Sequence, residues 1–484
     1  MLIRAGLIAL ITIVGMGGQF LIRAVLTAHL GPGGELDIFF LTLGWAGALA
    51  SSIFQAVAMV LAPQTVDSRA SPALRGLFRR TAVVLTITTT LLSGLAALVL
   101  VLIGQGSSSL VVLLVLLGWG VAGGLAMFQR QLFLAWGHPF IPALLALIPA
   151  AVILVLAWSD IIEGTLGFAL VGCLAWGVVS ILGGALLWRA WQRRGIPTAD
   201  ADPGALWRLL RLATPVFGTN GNSQVNQRTQ DALAAMAVTG GVTVFGNAYA
   251  LARLPQTIAD SIFSSTAYAR LLQAIAANDT VALRAAYRLA LRFHFAIMTP
   301  VAAAVLLAGD AATEIVFAHG KCSIEDTRAI AEVLWWTAPT MVITSLQSVH
   351  AQILTAQGRT AAVLLVEMAF TVLSIIFAAS LLPFLGLSGI PIGGSVAFIL
   401  IQVPMLRLLA PTGLRWQDTV SELLRACLPL VPAGLLAYGV SHLCGPSPWI
   451  KACAVGGTIL AVTLPCSAWA IIHRPRHEDA ATTA

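Results

Sequence analysis

In a chain dominated by apolar residues, the side chains able to do chemistry are marked by where they sit. The densest group is Thr219, Asn220, Asn222, Ser223, Gln224, Asn226, Gln227, Arg228, Thr229, Gln230 and Asp231. Asn220, Gln224, Gln227 and Asp231 recur at three- and four-residue steps, which puts them on one face of a helix. Arg23, Arg253 and Asp260 lie inside other apolar stretches, as do Arg130 and Glu367 toward the stretch ends, and Asp37 opens one more. A guanidinium forks onto phosphate oxygens, so Arg23 is a candidate phosphate ligand. Alternatives stay open for each group. Arg23 holds a phosphate or snorkels to the interface, and Arg228 binds an anion or is neutralised by Asp231 three residues on. Asp37 lines a site or caps its own helix. The polar run lines a hydrated cavity or hydrogen-bonds one helix to another. No His, Asp, Glu or Cys grouping has catalytic or ligand spacing, so the sequence predicts neither an enzyme nor a bound metal or cofactor.

Membrane-spanning helices must position these residues. Of the 484 residues, 58% are hydrophobic and 10% charged, with mean hydropathy +0.91. A soluble domain carries about 25% charged residues. The net charge of +7 is not gathered into a basic stripe, which excludes a nucleic-acid partner. A span needs about 20 apolar residues. Fourteen segments satisfy that, near 5–30, 37–62, 81–104, 109–136, 139–158, 164–188, 209–237, 242–268, 286–308, 331–356, 360–382, 387–409, 424–443 and 449–472. The first has no cleavage pattern and is expected to be retained. An ionisable group at mid-bilayer costs at least about 2.5–3.5 kcal/mol, so the polar seventh segment cannot face lipid.

Twenty of the 27 basic residues fall in alternate connections, against Lys321, Arg328 and Lys451 in the others. The positive-inside rule then puts both termini in the cytoplasm. The link at 190–207, with Pro197, Asp200, Asp202 and Pro203, reads as a linker between bundles, and the amphipathic Leu271–Leu289 as a helix lying on the membrane surface. Three landmarks repeat in order. Ala73-Leu74-Arg75 matches Ala282-Leu283-Arg284, Gly33-Gly34 matches Gly240-Gly241, and the stretch ending at Gly137 matches that ending at Gly358. Parallel duplication implies six-helix lobes at 1–189 and 208–410, a helix pair within 411–473 and a cytoplasmic tail at 474–484. The expected fold is all-α and membrane-integral, with access alternating as the lobes rock.

Several motifs resemble the MviN/MurJ family of the multidrug/oligosaccharidyl-lipid/polysaccharide exporter superfamily. Ile315-Val316-Phe317-Ala318-His319-Gly320 followed by Glu325-Asp326-Thr327 is similar to its "LLFxRGxFxxxDT" loop, and Gln224 with Asn226 to its "QIN". Tyr268-Ala269-Arg270-Leu271 with Asn278-Asp279 resembles "LPRLS…GD", and Leu354-Thr355-Ala356-Gln357-Gly358-Arg359-Thr360 resembles "FYALGDT". Leu21-Ile22-Arg23 and Leu36-Asp37-Ile38-Phe39-Phe40 match "FxR" and "ADAFF". The resemblance implies an inner-membrane flippase for undecaprenyl-diphosphate-linked glycan, typically lipid II. A cationic cavity would hold the head group, and the last two helices would form a groove for the lipid tail. This chain departs from the pattern in its charges. Ala24 replaces an acid, Gly17 a base, and Leu43-Gly44-Trp45 through Ser51 the base-rich "RIPNxLRRL"; Gln230 and Ala250 stand at a further acid and base. Arg228 and Arg253 lie outside the family pattern and are expected to compensate.

The resulting expectation is a flippase whose partners are a lipid-linked glycan, membrane lipids and envelope-synthesis enzymes. The alternatives are a cation-coupled exporter of small drugs and a transport-inactive envelope scaffold. The expected substrate contacts are Arg23, Asp37, Asn220, Gln224, Asn226, Gln227, Arg228, Asp231, Arg253 and Asp260.

Overall fold

The computed structural model describes residues 14, 17, 18, 20–66, 107–135, 138, 140–158, 164–193, 203–266, 268–443 and 447–472. Regular structure among them is helical throughout. The segment at 81–104, Arg69 to Arg80 with the first Ala-Leu-Arg landmark, the middle of the 190–207 link and the 474–484 tail lie outside the described residues.

By packing, the chain forms two units, Met1–Thr243 and Val244–Ala484. The first holds α1 (Phe20–Leu30), α2 (Gly34–Val66), α3 (Ser107–Ala135), α4 (Phe140–Trp158), α5 (Gly164–Arg193) and α6 (Pro203–Ala237). Its core joins Ile22 and Leu26 of α1 to Phe39 and Phe40 of α2, Leu116 of α3 and Phe168 of α5. α2 packs along both α3 and α6. That second contact carries the polar seventh segment of the sequence, because α6 is that segment.

α7 (Gly241–Thr266) crosses into the second unit, which continues with α8 (Tyr268–Ala276), α9 (Thr280–Phe317), α10 (Ile324–Ala356), α11 (Thr360–Leu385), α12 (Gly389–Leu409), α13 (Trp416–Cys427), α14 (Leu430–Leu443) and α15 (Pro448–Ile472). Leu291 and Phe295 of α9 pack with Val349 and Ile353 of α10, Phe370 of α11 and Met405 of α12.

Among the described residues, five stretches combine the length and apolarity of a span: Gly164–Ala190, Thr280–Phe317, Ile324–Ala356, Thr360–Thr412 and Trp416–Leu443. Phe20–Leu30, Phe140–Leu156 and Pro448–Thr463 are apolar but shorter.

Local chemistry corrects one sequence expectation and divides a second segment. The surface helix expected over Leu271–Leu289 is two pieces. α8 stops at Ala276, Asn278 takes the left-handed region (φ 53), and Asp279 caps α9 by accepting from the N–H groups of Val281 and Ala282. An Asn-Asp pair supplies both the turn and the cap, so Arg284 and Arg288 belong to the long α9. The segment expected over 424–443 contains a helix break, because Trp416–Cys427 and Leu430–Leu443 are separate helices with different patterns. α13 buries Asp418, Thr419 and Glu422 and exposes Trp416, Val420 and Leu424. Its polar face meets an arginine ladder. Arg284 and Arg288 bind Asp418 (2.7 and 2.6 Å), and Arg292 binds Glu422 (2.8 Å). The i, i+4, i+8 spacing along α9 faces the i, i+4 acids of α13 in matching register.

Candidate substrate-contact site

In the first unit, α1, α2 and α6 bring together four of the sequence-predicted residues. Arg23 projects from α1 over the Phe40 ring at 4.0 Å, a cation–π contact, within electrostatic reach of Asp231, Arg228 and Asp37. On α6 the pair Arg228–Asp231 forms, with Nη1 donating to Oδ2 at 2.5 Å. The neutralisation reading of this pair accounts for one nitrogen only, since Nε of Arg228 is buried without a hydrogen-bond partner among the described residues. The guanidinium lies against Gly44 of α2, where even a Cβ would collide with it. Arg228 thus puts a cation beside the stretch of α2 whose bases are replaced by Leu43-Gly44-Trp45.

The carboxamides of α6 divide by partner. Gln227 bonds Asp231, and Gln230 donates to Asn226 at 3.4 Å. Among the described residues the side-chain nitrogens of Asn220 and Asn222 are buried without a partner, and Gln224 is half-buried. Buried donors normally have acceptors, so unused ones mark a place with a polar task.

Asp37 does something the sequence did not suggest. It reaches across to α7, accepting from the Gly240 N–H (2.8 Å) through Oδ2 and from the Thr243 N–H (2.9 Å) and hydroxyl (2.7 Å) through Oδ1. The cap is therefore on another helix's N-terminus, where a carboxylate also opposes the helix dipole. Gly240 makes the approach possible, with φ +84 and Pro32 against the position a Cβ would take.

Arg253 and Asp260 belong to the second unit. Arg253 is exposed, over the Tyr249 ring at 5.2 Å. Asp260 contacts His294 (3.1 Å) and Ser348 (3.0 Å). Sequence reasoning missed Gly44, Phe40, His294 and Ser348. A polar residue deep in an apolar span is the signal that could have flagged the last two; Gly44 carries none without its neighbour.

The chain is a helical bundle with a polar, part-charged helix against α2, the fold class of the solved exporter-superfamily transporters. The solved structures agree on that fold. A lipid II flippase MurJ in an inward closed conformation matches with TM-score 0.73 at 16% identity, over 96% of this chain and 100% of that one. A multidrug resistance MATE family transporter matches in its inward-facing conformation (TM-score 0.68, 17% identity, 82% of this chain and 95% of that one). A MATE family transporter in an outward-facing conformation also matches (0.64, 18%, 84% and 95%). No curated protein matches the sequence. The family model for lipid II flippase MurJ matches residues 78–451, and the chain belongs to that family. It is a multi-pass inner-membrane transporter and not an enzyme.

Proposed function

We propose that the protein moves a polyprenyl-diphosphate-linked glycan, lipid II or a close relative, across the bacterial inner membrane by alternating access. The observation that carries this reading is the set of unused donors on α6: the side-chain nitrogens of Asn220 and Asn222 and Nε of Arg228. Donors withheld from water are costly unless acceptors meet them, and phosphates and sugar hydroxyls are dense in acceptors. In this reading Arg23 and Arg228 contact the diphosphate, with Arg253 as a further cation. Asn220, Gln224, Asn226 and Gln227 contact the sugars. Asp231 holds Arg228 in place, and Asp37 and Asp260 act at one remove, through the groups they bind. For the prenyl tail, Val301, Val305, Gly309, Ala452, Gly456 and Leu460 line an apolar furrow between α9 and α15.

The same reading keeps both termini cytoplasmic and fourteen spans. It treats 1–189 and 208–410 as parallel six-helix repeats and 411–473 as an added pair, with envelope-synthesis enzymes delivering the substrate. Vesicles reconstituted with the protein and a labelled undecaprenyl-diphosphate glycan test it. Protein-dependent movement to the other leaflet is expected, and failure to move any such glycan overturns the reading.

A further inference from the structure

Asp260 is held in a way that glycan binding does not explain. Its Oδ1 lies 3.1 Å from Nε2 of His294 on α9 and accepts from the Ser348 hydroxyl of α10 at 3.0 Å. The other ring nitrogen, Nδ1, is 3.0 Å from the carbonyl oxygen of Ala290. A carbonyl only accepts, so Nδ1 carries a hydrogen. A neutral imidazole has one hydrogen, and its Nε2 would then turn a lone pair toward Oδ1. Two acceptors make such a contact only with a proton between them. The pair therefore holds one proton, on Nε2 as imidazolium or on Oδ1 as carboxylic acid.

The surroundings suit an exchangeable proton. His294 is fully buried while the Asp260 side chain is 34% exposed, so the carboxylate is the member of the pair that reaches the surface of the unit. His294 lies eight residues into the span expected over 286–308, about 12 Å along it at 1.5 Å per residue. Charged and titratable neighbours on the packed helices have their own partners. Arg292 of α9 binds Glu422, His350 of α10 contacts Tyr287 and Gln402, Glu367 of α11 accepts from Gln347, and Arg253 of α7 lies over Tyr249.

We propose that the Asp260–His294 pair is a proton-binding site that couples translocation to a proton gradient. With its proton the pair carries no net charge and ties α7 to α9. When the proton leaves to water, the pair carries a net negative charge and the ring keeps one N–H for two acceptors, Oδ1 of Asp260 and the Ala290 carbonyl, so the tie between α7 and α9 weakens. Rebinding restores it. The coupling rests on the transport reading above and names its driving ion, whereas the proton site stands on its own geometry.

Two measurements decide it. Infrared difference spectroscopy of the purified protein in lipid nanodiscs, titrated with acid, is expected to show one uptake step that disappears in both D260N and H294Q. Asp260→Glu keeps a carboxyl and retains the step, which controls for misfolding, and Ser348→Ala shifts its midpoint. Two separate steps lost one per variant, or no such step in the wild type, overturns the proton site. In glycan-loaded vesicles with the membrane potential clamped, an imposed pH gradient is expected to speed wild-type movement at least about fivefold, with the gradient-driven component lost in D260N and H294Q. Wild-type movement indifferent to the gradient overturns the coupling and leaves the glycan reading intact. Absence of movement of any glycan overturns that reading and the coupling together, while the infrared arm still decides the site.

Discussion

The guanidinium of Arg228 occupies the space that Gly44 leaves open on α2. Gly44→Val is expected to displace it and to reduce glycan movement as far as Arg228→Ala does. A hydrogen bond to a charged group contributes about 1.5–3 kcal/mol, so the loss should be roughly 10–100-fold. Transport rates of the two single variants and the double variant check this. Effects that multiply in the double variant would mean that Gly44 acts through something other than Arg228.

Asp37 holds the start of α7 through three hydrogen bonds. Asp37→Ala should lower stability by about 1–3 kcal/mol, the range for a lost cap with buried groups left unpaired. Asp37→Asn keeps one oxygen but turns an amide N–H₂ toward other donors, and should recover only part of the loss. Thermal unfolding in detergent measures both. An unchanged Tm with transport abolished would place Asp37 among the substrate contacts instead.

Asp418 binds both Arg284 and Arg288 at 1% exposure of its own side chain. Asp418→Ala should cost about 2–4 kcal/mol, below the range for a fully buried pair because Arg284 is 37% exposed. Glu422→Ala removes the next rung, from Arg292 and Arg425, and should add less than its own single effect once Asp418 is gone. Urea or thermal titration of the two single variants and the double variant reads the coupling; strict additivity would argue against a continuous ladder.

Topology is open to labelling from either side. In a cysteine-free background, Lys321→Cys is expected to react with an impermeant maleimide in intact cells, and Ala277→Cys only after permeabilisation. Both positions are exposed, at opposite ends of α9. Native Cys322 should react slowly, because burial, aided by Asp326, pushes its thiol up to about 11 and leaves little thiolate near neutral pH. Labelling of Ala277→Cys in intact cells would reverse the orientation.

The sequence alone determined that this is a helical membrane protein. Long apolar runs and scarce charge leave no other way to satisfy the backbone in lipid, and the family motifs agree with the match over residues 78–451. It also marked the α6 polar run, since a cluster from Asn220 to Asp231 contradicts the apolar rule around it. Partners were another matter. Arg228–Asp231 was legible because i, i+3 neighbours meet on any helix, but Asp37 with Thr243, 206 residues apart, was not. Nor did the sequence pair Asp260 with His294. Periodicity tells which face of a helix is polar; only packing tells what that face meets. The polar α6 was therefore found in the residues, while the cation beside Gly44 and the shared proton at Asp260 came from tertiary contacts between helices.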